Sequence, residues 1–525
     1  MLAEQSNVTN SFQTQAKIGD ALSLRTLWSG IAPLLLLLSI GLYLVEAWAP
    51  AEQMDDAFIS YRYAQNLADG NGLVFNVGEH VEGYTNLSWT LVVAAGIRLG
   101  WSAPIVGHWL MLLSGVLLLW STFIYARRLL PQGSWLAGLA PLVVLGTNAF
   151  ACWTASGLES ALFAATVVMA FAEQLSGRSW RVSLWCILAA MTRPEGMLLA
   201  FVLLGWDWLR GVVTLERKTF GAALRLALPG LLFTAYFVAH TAFRLYYYHD
   251  YVPNTFHAKV GGIPLSRGFE YLYNFAVDGP GLLVIPALLG AWILPRYRIA
   301  FAFTLLIAAY SVSVGGDVFR LGRFLLPVLP FLVVGALAGT LFLYGRSRLG
   351  GVILGLSLPL TVLVSLYGTW PYNADFGVIE KQPFPQSAKR MNARNHMFFV
   401  PEEWVRQRAR DIVALQPPVH LVATIGIGKL GYYAMELPVL DLVGLTDRTV
   451  ARSDRHVSAT LMLPGHQRTD APYVLSQRPD FIWIPRKGDP NTMTLPAVVD
   501  LWNQPDLERD YYWDDHFTAY RRKPD

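Results

Sequence analysis

The chain has 525 residues, 54% of them hydrophobic and only 15% charged, and its mean hydropathy is +0.37. That balance excludes an ordinary soluble protein. Its two cysteines, Cys152 and Cys186, lie in or beside apolar segments without metal-ligand spacing, so they imply neither a disulfide framework nor a redox motif.

In chain order, a cytoplasmic tail (1–29) leads into IAPLLLLLSIGLYLV (31–45), which predicts a membrane helix ended by Pro50. Ala47-Trp48-Ala49 resembles a cleavage site, but the length of the segment and the proline behind it make it a signal anchor. MDDAFISYRYAQN follows at the water boundary. The neighbouring carboxylates of Asp55 and Asp56 repel each other and cost solvation energy there, which catalysis, cation binding or both would explain. A hydrated charge at a helix end is the plainer alternative.

The rest of the first outer loop (50–105) alternates glycine turns with polar and aromatic residues: Tyr61-Arg62-Tyr63, Gly70-Asn71-Gly72, Phe75-Asn76, Gly78-Glu79 and Glu82-Gly83-Tyr84. Such a surface suits a sugar, whose apolar face stacks and whose hydroxyls need partners; a merely compact loop has the same composition. LSWTLVVAAGIRL (87–99) reads as a helix at the outer membrane surface, because a span there would push Arg127 and Arg128 outside.

Apolar runs near 31–48, 106–126, 135–151, 158–175, 182–192, 196–209, 219–243, 280–294, 299–314, 325–345 and 350–370 predict about eleven crossings, two of them short. With the N-terminus inside, 14 of the 22 Lys and Arg up to residue 370 fall on the cytoplasmic side, in the tail and in short loops, as the positive-inside rule requires. Outer basic residues such as Arg193, Arg244, Lys259, Arg320 and Arg323 run against that trend and need a functional explanation. Arg193-Pro194-Glu195 falls at an outer turn, where Glu195 either orients Arg193 for function or closes a structural salt bridge.

From about residue 371 the composition becomes that of a soluble domain, with 19 basic and 19 acidic residues. A helical 401–415 and strands at 420–427, 438–445 and 480–485 suggest a small α/β domain (371–525), extracytoplasmic after an odd number of crossings. Gly426-Ile-Gly428-Lys-Leu-Gly431 is formally a dinucleotide motif. The next strand begins too soon for a full helix and nucleotide cofactors are scarce outside the cell, so it reads as a tight backbone turn.

The segment DDAFISYRYAQNLADGNGLVFNVGEHVEGYTNLSW resembles the first outer loop of GT-C glycosyltransferases, closest to the terminal arabinofuranosyltransferases of mycobacterial arabinan. Shorter matches follow in order: Ser156-Gly157-Leu158-Glu159, Thr192-Arg193-Pro194-Glu195-Gly196, Pro253-Asn254-Thr255 with Lys259, Gly315-Gly316-Asp317 before Arg320 and Arg323, Asp441-Leu-Val-Gly444-Leu-Thr-Asp447, and Gly465-His466. The first 29 residues are unmatched, and the outer domain agrees only in patches.

The resemblance implies a mainly α, polytopic GT-C-like membrane domain (30–370) with a C-terminal α/β domain. It implies an inner-membrane enzyme taking a sugar from a polyprenyl-phosphate donor, arabinofuranose first and a related pentose or hexose next. The acceptor is a cell-envelope glycan, a lipid or a protein such as pilin, with no nucleic acid involved. In that frame Asp55 is the leading base and Asp56 its partner, tuning it or holding a divalent cation. Arg193, Arg244, Lys259, Arg320 and Arg323 are the expected donor-phosphate ligands. Tyr61, Arg62, Asn76, Glu79, Glu82, Tyr84, Glu195, Asn254, Asp317 and His466 are the expected sugar or acceptor contacts. A lipid-linked-sugar flippase is the competing class; it predicts repeat symmetry and mid-membrane charges, neither of which is evident.

Overall fold

The computed structural model describes residues 30–48, 52–214, 220–259, 265–319, 321–367, 401–459, 463–488 and 494–524. The tail 1–29, Pro50, Arg320 and residues 371–400 of the expected outer domain lie outside the described residues.

Helices α1 (Gly30–Ala47), α2 (Asp55–Ala68), α3 (Leu87–Arg98) and α4 (Ala103–Leu129) open the fold. The two acids of α2 sit in its first turn, facing the positive end of the helix dipole. Helix α4 starts with a proline in its first turn and ends with Arg127 and Arg128 in its last, both favourable positions. The expected helix at 87–99 is α3, which packs on α2 and α4 through Trp89, Val93 and Ala94.

Among the described residues, six helices are long and apolar enough to cross a membrane: Gly30–Ala47, Ala103–Leu129, Gly196–Val213, Leu226–Tyr248, Arg323–Arg346 and Arg348–Tyr367. A pair bent by 80°, Leu265–Val277 with Pro280–Ile293, would make a seventh. The chain is therefore an integral membrane protein. By this measure there are fewer spans than the eleven expected, because several apolar runs form helices well short of the roughly 20 residues a full span takes. Ser160–Leu175 has 16 residues and Ser179–Thr192 has 14.

Small residues bring the helices together. Helix Leu329–Arg346 is almost wholly buried along its first three turns and lies against Val284–Ile293. A Cβ at Gly339 would come within 2.2 Å of the Pro286 carbonyl oxygen, so the two backbones touch there. Ion pairs collect at the helix ends. Glu173 meets Arg128 at 3.1 Å and Arg181 at 3.8 Å, with Arg296 donating to the Leu175 carbonyl close by. Glu159, at the opposite end of the Ser160–Leu175 helix, meets Arg193.

The C-terminal region forms a five-stranded sheet of order β2-β1-β3-β5-β4. Strands β1 (Val422–Thr424), β2 (Val439–Asp441) and β3 (Phe481–Trp483) are parallel, whereas β4 (Tyr511–Asp514) and β5 (Ala519–Arg522) add an antiparallel edge. The three strands expected from sequence form, each trimmed to three residues. The C-terminal hairpin was not anticipated, since its tyrosines, aspartates and arginines carry no apolar run. The glycine motif is not a bare turn: it opens a short helix, Ile427–Tyr433, directly behind β1.

Candidate active site

Helix α2 is buried between α3 and α4 on the membrane side and the Ile427–Tyr433 helix on the other. Its first two residues face different surroundings. The Asp55 carboxylate accepts hydrogen bonds on both oxygens, from the Gly428 amide at 3.0 Å and the Lys429 amide at 2.8 Å. Burial outweighs these bonds and raises its pKa above the usual carboxylate value. Asp56 makes no ion pair or hydrogen bond among the described residues, and its charge is felt by Lys259, Arg323 and His466.

Those three residues belong to a cluster assembled from distant segments. Arg193, in the sharp turn between two helices, is gripped by Glu159 at 2.6 Å and Glu195 at 2.9 Å. Arg323 pairs with Asp317 at 2.6 Å. Both guanidinium groups lie over the ring of Phe324, 5.4 and 5.5 Å from its centroid, which brings the two ion pairs side by side. Lys259 is solvent-accessible and unpaired among the described residues. The protein around it, and then Arg323, draw its ammonium below the usual lysine range, while Asp56 and Asp317 act in the opposite sense. Gly465 lies against its aliphatic stem, and burial holds the adjacent His466 below the ordinary imidazole range. A cleft lined by Arg267, Glu270, Tyr271 and Asn274 opens beside Asp317.

Of the expected site residues, Asp56, Arg193, Glu195, Lys259, Asp317, Arg323 and His466 are thus brought together. The others are not. Tyr61 is fully buried and donates to Gln53. Arg62, 2% exposed, spends its guanidinium on the carbonyls of Phe75, Gly431 and Leu437 and on Asn76. Asn76 bonds both backbone groups of Val439 and also Glu79. Arg244 is paired with Glu82 at 2.8 Å, and Tyr84 packs against Tyr63 and Tyr248. Asn254 donates to the carbonyls of Gly444, Leu445 and Asp447. Arg62, Asn76 and Asn254 thus bind the C-terminal domain, while Glu82 and Tyr84 tie the first outer loop to the Leu226–Tyr248 helix, and buried groups with satisfied hydrogen bonds have nothing left to offer a sugar.

Sequence reasoning missed Glu159 as a site residue, although it stands in a quoted motif; it holds Arg193 and accepts from Asn86. It also missed Gly428 and Lys429 as the partners of Asp55. A cation cradle built on the two aspartates does not fit this arrangement, because both Asp55 oxygens face amide donors. Among the described residues, no group of three or more His, Cys, Asp or Glu is placed to hold a metal ion.

A protein-family model described as a domain of unknown function (DUF8728) matches residues 392–522. The chain is similar to the terminal beta-(1->2)-arabinofuranosyltransferase of Mycobacterium tuberculosis, with 30% identity over 50% of this chain and 43% of that protein. It is similar to the protein of the same name from Corynebacterium glutamicum, with 24% identity over 81% of this chain and 66% of the other. The match therefore spans less than two thirds of either relative. Among solved structures, ArnT from Cupriavidus metallidurans bound to undecaprenyl phosphate superposes with a TM-score of 0.47 at 14% identity, covering 79% of this chain and 85% of that one. The resemblance carried by the first-loop motif is borne out: the curated relatives are arabinofuranosyltransferases.

Proposed function

We propose that this protein is a membrane glycosyltransferase. It moves a sugar, arabinofuranose in the first instance, from a polyprenyl-phosphate carrier to a cell-envelope acceptor on the outer face of the bacterial cytoplasmic membrane. The observation that carries the proposal is the gathering of Asp56, Lys259, Arg323 and His466 at one end of a helical membrane bundle, in a chain with arabinofuranosyltransferase relatives.

Glycosyl transfer breaks the bond from the anomeric carbon to phosphate and forms one to the acceptor oxygen. The sugar carries positive charge at the peak, and the acceptor hydroxyl must lose its proton. Asp56 takes that proton, since its carboxylate is uncommitted and Asp55's is not. The departing polyprenyl phosphate takes the bonding electrons, and Lys259, Arg323 and Arg193 stabilise its growing charge. Glu195 and Glu159 hold Arg193 in place. No step passes through a metal.

Eleven crossings complete the proposal, the short ones packed inside the bundle. The layout is supported by the ion pairs. Arg128, Glu173, Arg181 and Arg296 share one end, which the abundance of basic residues marks as cytoplasmic. Glu159, Arg193 and Glu195 share the other, with the C-terminal domain receiving the acceptor.

The test is incubation of the purified protein with radiolabelled polyprenyl-phosphoryl arabinofuranose and an arabinan, lipid or pilin acceptor. Label should reach an acceptor with the wild type and not with Asp56→Asn. Movement of the intact lipid-linked sugar across a vesicle membrane without transfer would overturn the proposal in favour of a flippase.

A further inference from the structure

The glycine motif behind β1 has no part in the chemistry above, yet it packs directly against the start of α2. A Cβ on Gly428 would lie 1.8 Å from the Asp55 carbonyl oxygen and 2.8 Å from Asp55 Oδ2. Only glycine lets the backbone of the Ile427–Tyr433 helix settle against the start of α2. Two turns along α2, on the same face, Arg62 donates to the carbonyls of Gly431 at 2.5 Å and Leu437 at 2.8 Å. A carboxylate thus meets the amides where the C-terminal segment starts, and a guanidinium meets the carbonyls where it ends. Lys429 adds a pairing with Glu52 at 3.4 Å, just ahead of α2.

We infer that Gly426–Gly431 and Asp55 form a clasp by which the C-terminal domain aims Asp56, so that Asp55 is a positioning residue for glycosyl transfer rather than its base. This inference rests on the glycosyltransferase reading. Adjacent residues on an α-helix project about 100° apart. Pinning Asp55 and Arg62 therefore fixes the direction of Asp56, with no contact between the clasp and the sugar. The C-terminal domain then takes part in the chemical step as well as in acceptor binding.

The test compares Asp55→Asn, Gly428→Ala and Asp56→Asn in the full-length protein. An amide at position 55 turns a donor toward one backbone N–H, and a methyl at 428 lifts the segment off α2. Each should lower kcat by about 10- to 100-fold, the scale of a 1 Å misplacement, while the KM for the lipid donor changes less than about threefold. Both variants should keep the acid limb of the pH–rate profile, where protonation of the base stops the reaction; Asp56→Asn should lose it with nearly all activity. Disappearance of that limb in Asp55→Asn, with Asp56→Asn retaining it, would make Asp55 the base and overturn the inference. Amide hydrogen exchange gives a readout independent of activity. Exchange across 426–433 and 55–68 should quicken in Asp55→Asn and stay unchanged in Asp56→Asn. Equal exchange in wild type and Asp55→Asn would refute the clasp whatever sugar is transferred, whereas a wild type inert toward every donor, with the exchange effect intact, would count against the glycosyltransferase reading alone.

Discussion

Single residues in this protein are defined by what surrounds them more than by what they are. Asp441, at the end of β2, is fully buried; its carboxylate accepts from the amides of Val443 and Thr446, closing the turn behind the strand. Burial is the larger influence and pushes its pKa up to about 6. The folded state therefore holds that proton more tightly than the unfolded chain, whose aspartates titrate near 3.9. The resulting stability is complete below the unfolded value and is lost as pH rises through about 6. Unfolding of the C-terminal domain, followed by tryptophan fluorescence, should be harder at pH 5 than at pH 7 by about 1 kcal/mol from this group. Asp441→Asn should flatten that difference; an unchanged pH dependence would show that Asp441 does not titrate in this range. The first-loop aspartates teach the same lesson. Their presence at the water boundary is legible in the sequence, but which one faces the cations is decided by amides 373 residues away, which no local pattern encodes.

Among the elements, the long helices follow their apolar runs and the three expected strands form, while the polar loops do not serve the purpose their composition suggests. Tyr61, Arg62, Asn76, Tyr84 and Asn254 look like a sugar-binding surface because aromatic rings and amides between glycine turns suit a carbohydrate. The same residue types suit a buried joint between two domains, whose backbone carbonyls and amides also need partners. Composition alone does not separate the two. Arg193-Pro194-Glu195 fares better, since its ion pair is local and spans two residues. Within the bundle, the contact of Leu329–Arg346 with Val284–Ile293 depends on a missing side chain. Gly339→Val would drive methyl groups into the Pro286 carbonyl, which belongs to a helix backbone and cannot turn aside. A loss on the order of 3 kcal/mol is expected, measured as thermal stability in detergent. Gly205→Val is the control, because nothing lies within 4 Å of the added group there. Equal melting temperatures for the two variants would show that the helices part easily.

At the scale of the whole molecule, the proposed orientation rests on the ion pairs at the two ends of the bundle and on the distribution of basic residues. It is checked by an impermeant thiol reagent, with low background because Cys152 and Cys186 are buried. Ser476→Cys, on the exposed surface of the C-terminal domain, should label in intact spheroplasts, whereas Ser176→Cys, beside the Glu173 cluster, should label only after permeabilisation. The reverse pattern would turn the molecule over. Fold class, the membrane domain and the α/β character of the C-terminal region were legible from composition and periodicity. The association of the two parts was not, because its contacts are side chain to backbone and leave no charge pattern for a reader to match.

The clasp on α2 also bears on how the protein is made. Asp55 and Arg62 emerge among the first hundred residues, and their partners lie 373 and 369 positions further on. During synthesis the first outer loop must therefore carry an acid and a base whose burial is not yet compensated, so it has every reason to stay hydrated and unformed. In the proposed orientation, α2 is sealed and Asp56 aimed only when the last part of the chain has crossed the membrane. Under the proposed function, a nascent or truncated chain would hold the carboxylate and the cations without the geometry that joins them, and so would leave the lipid-linked sugars around it untouched until the protein is whole.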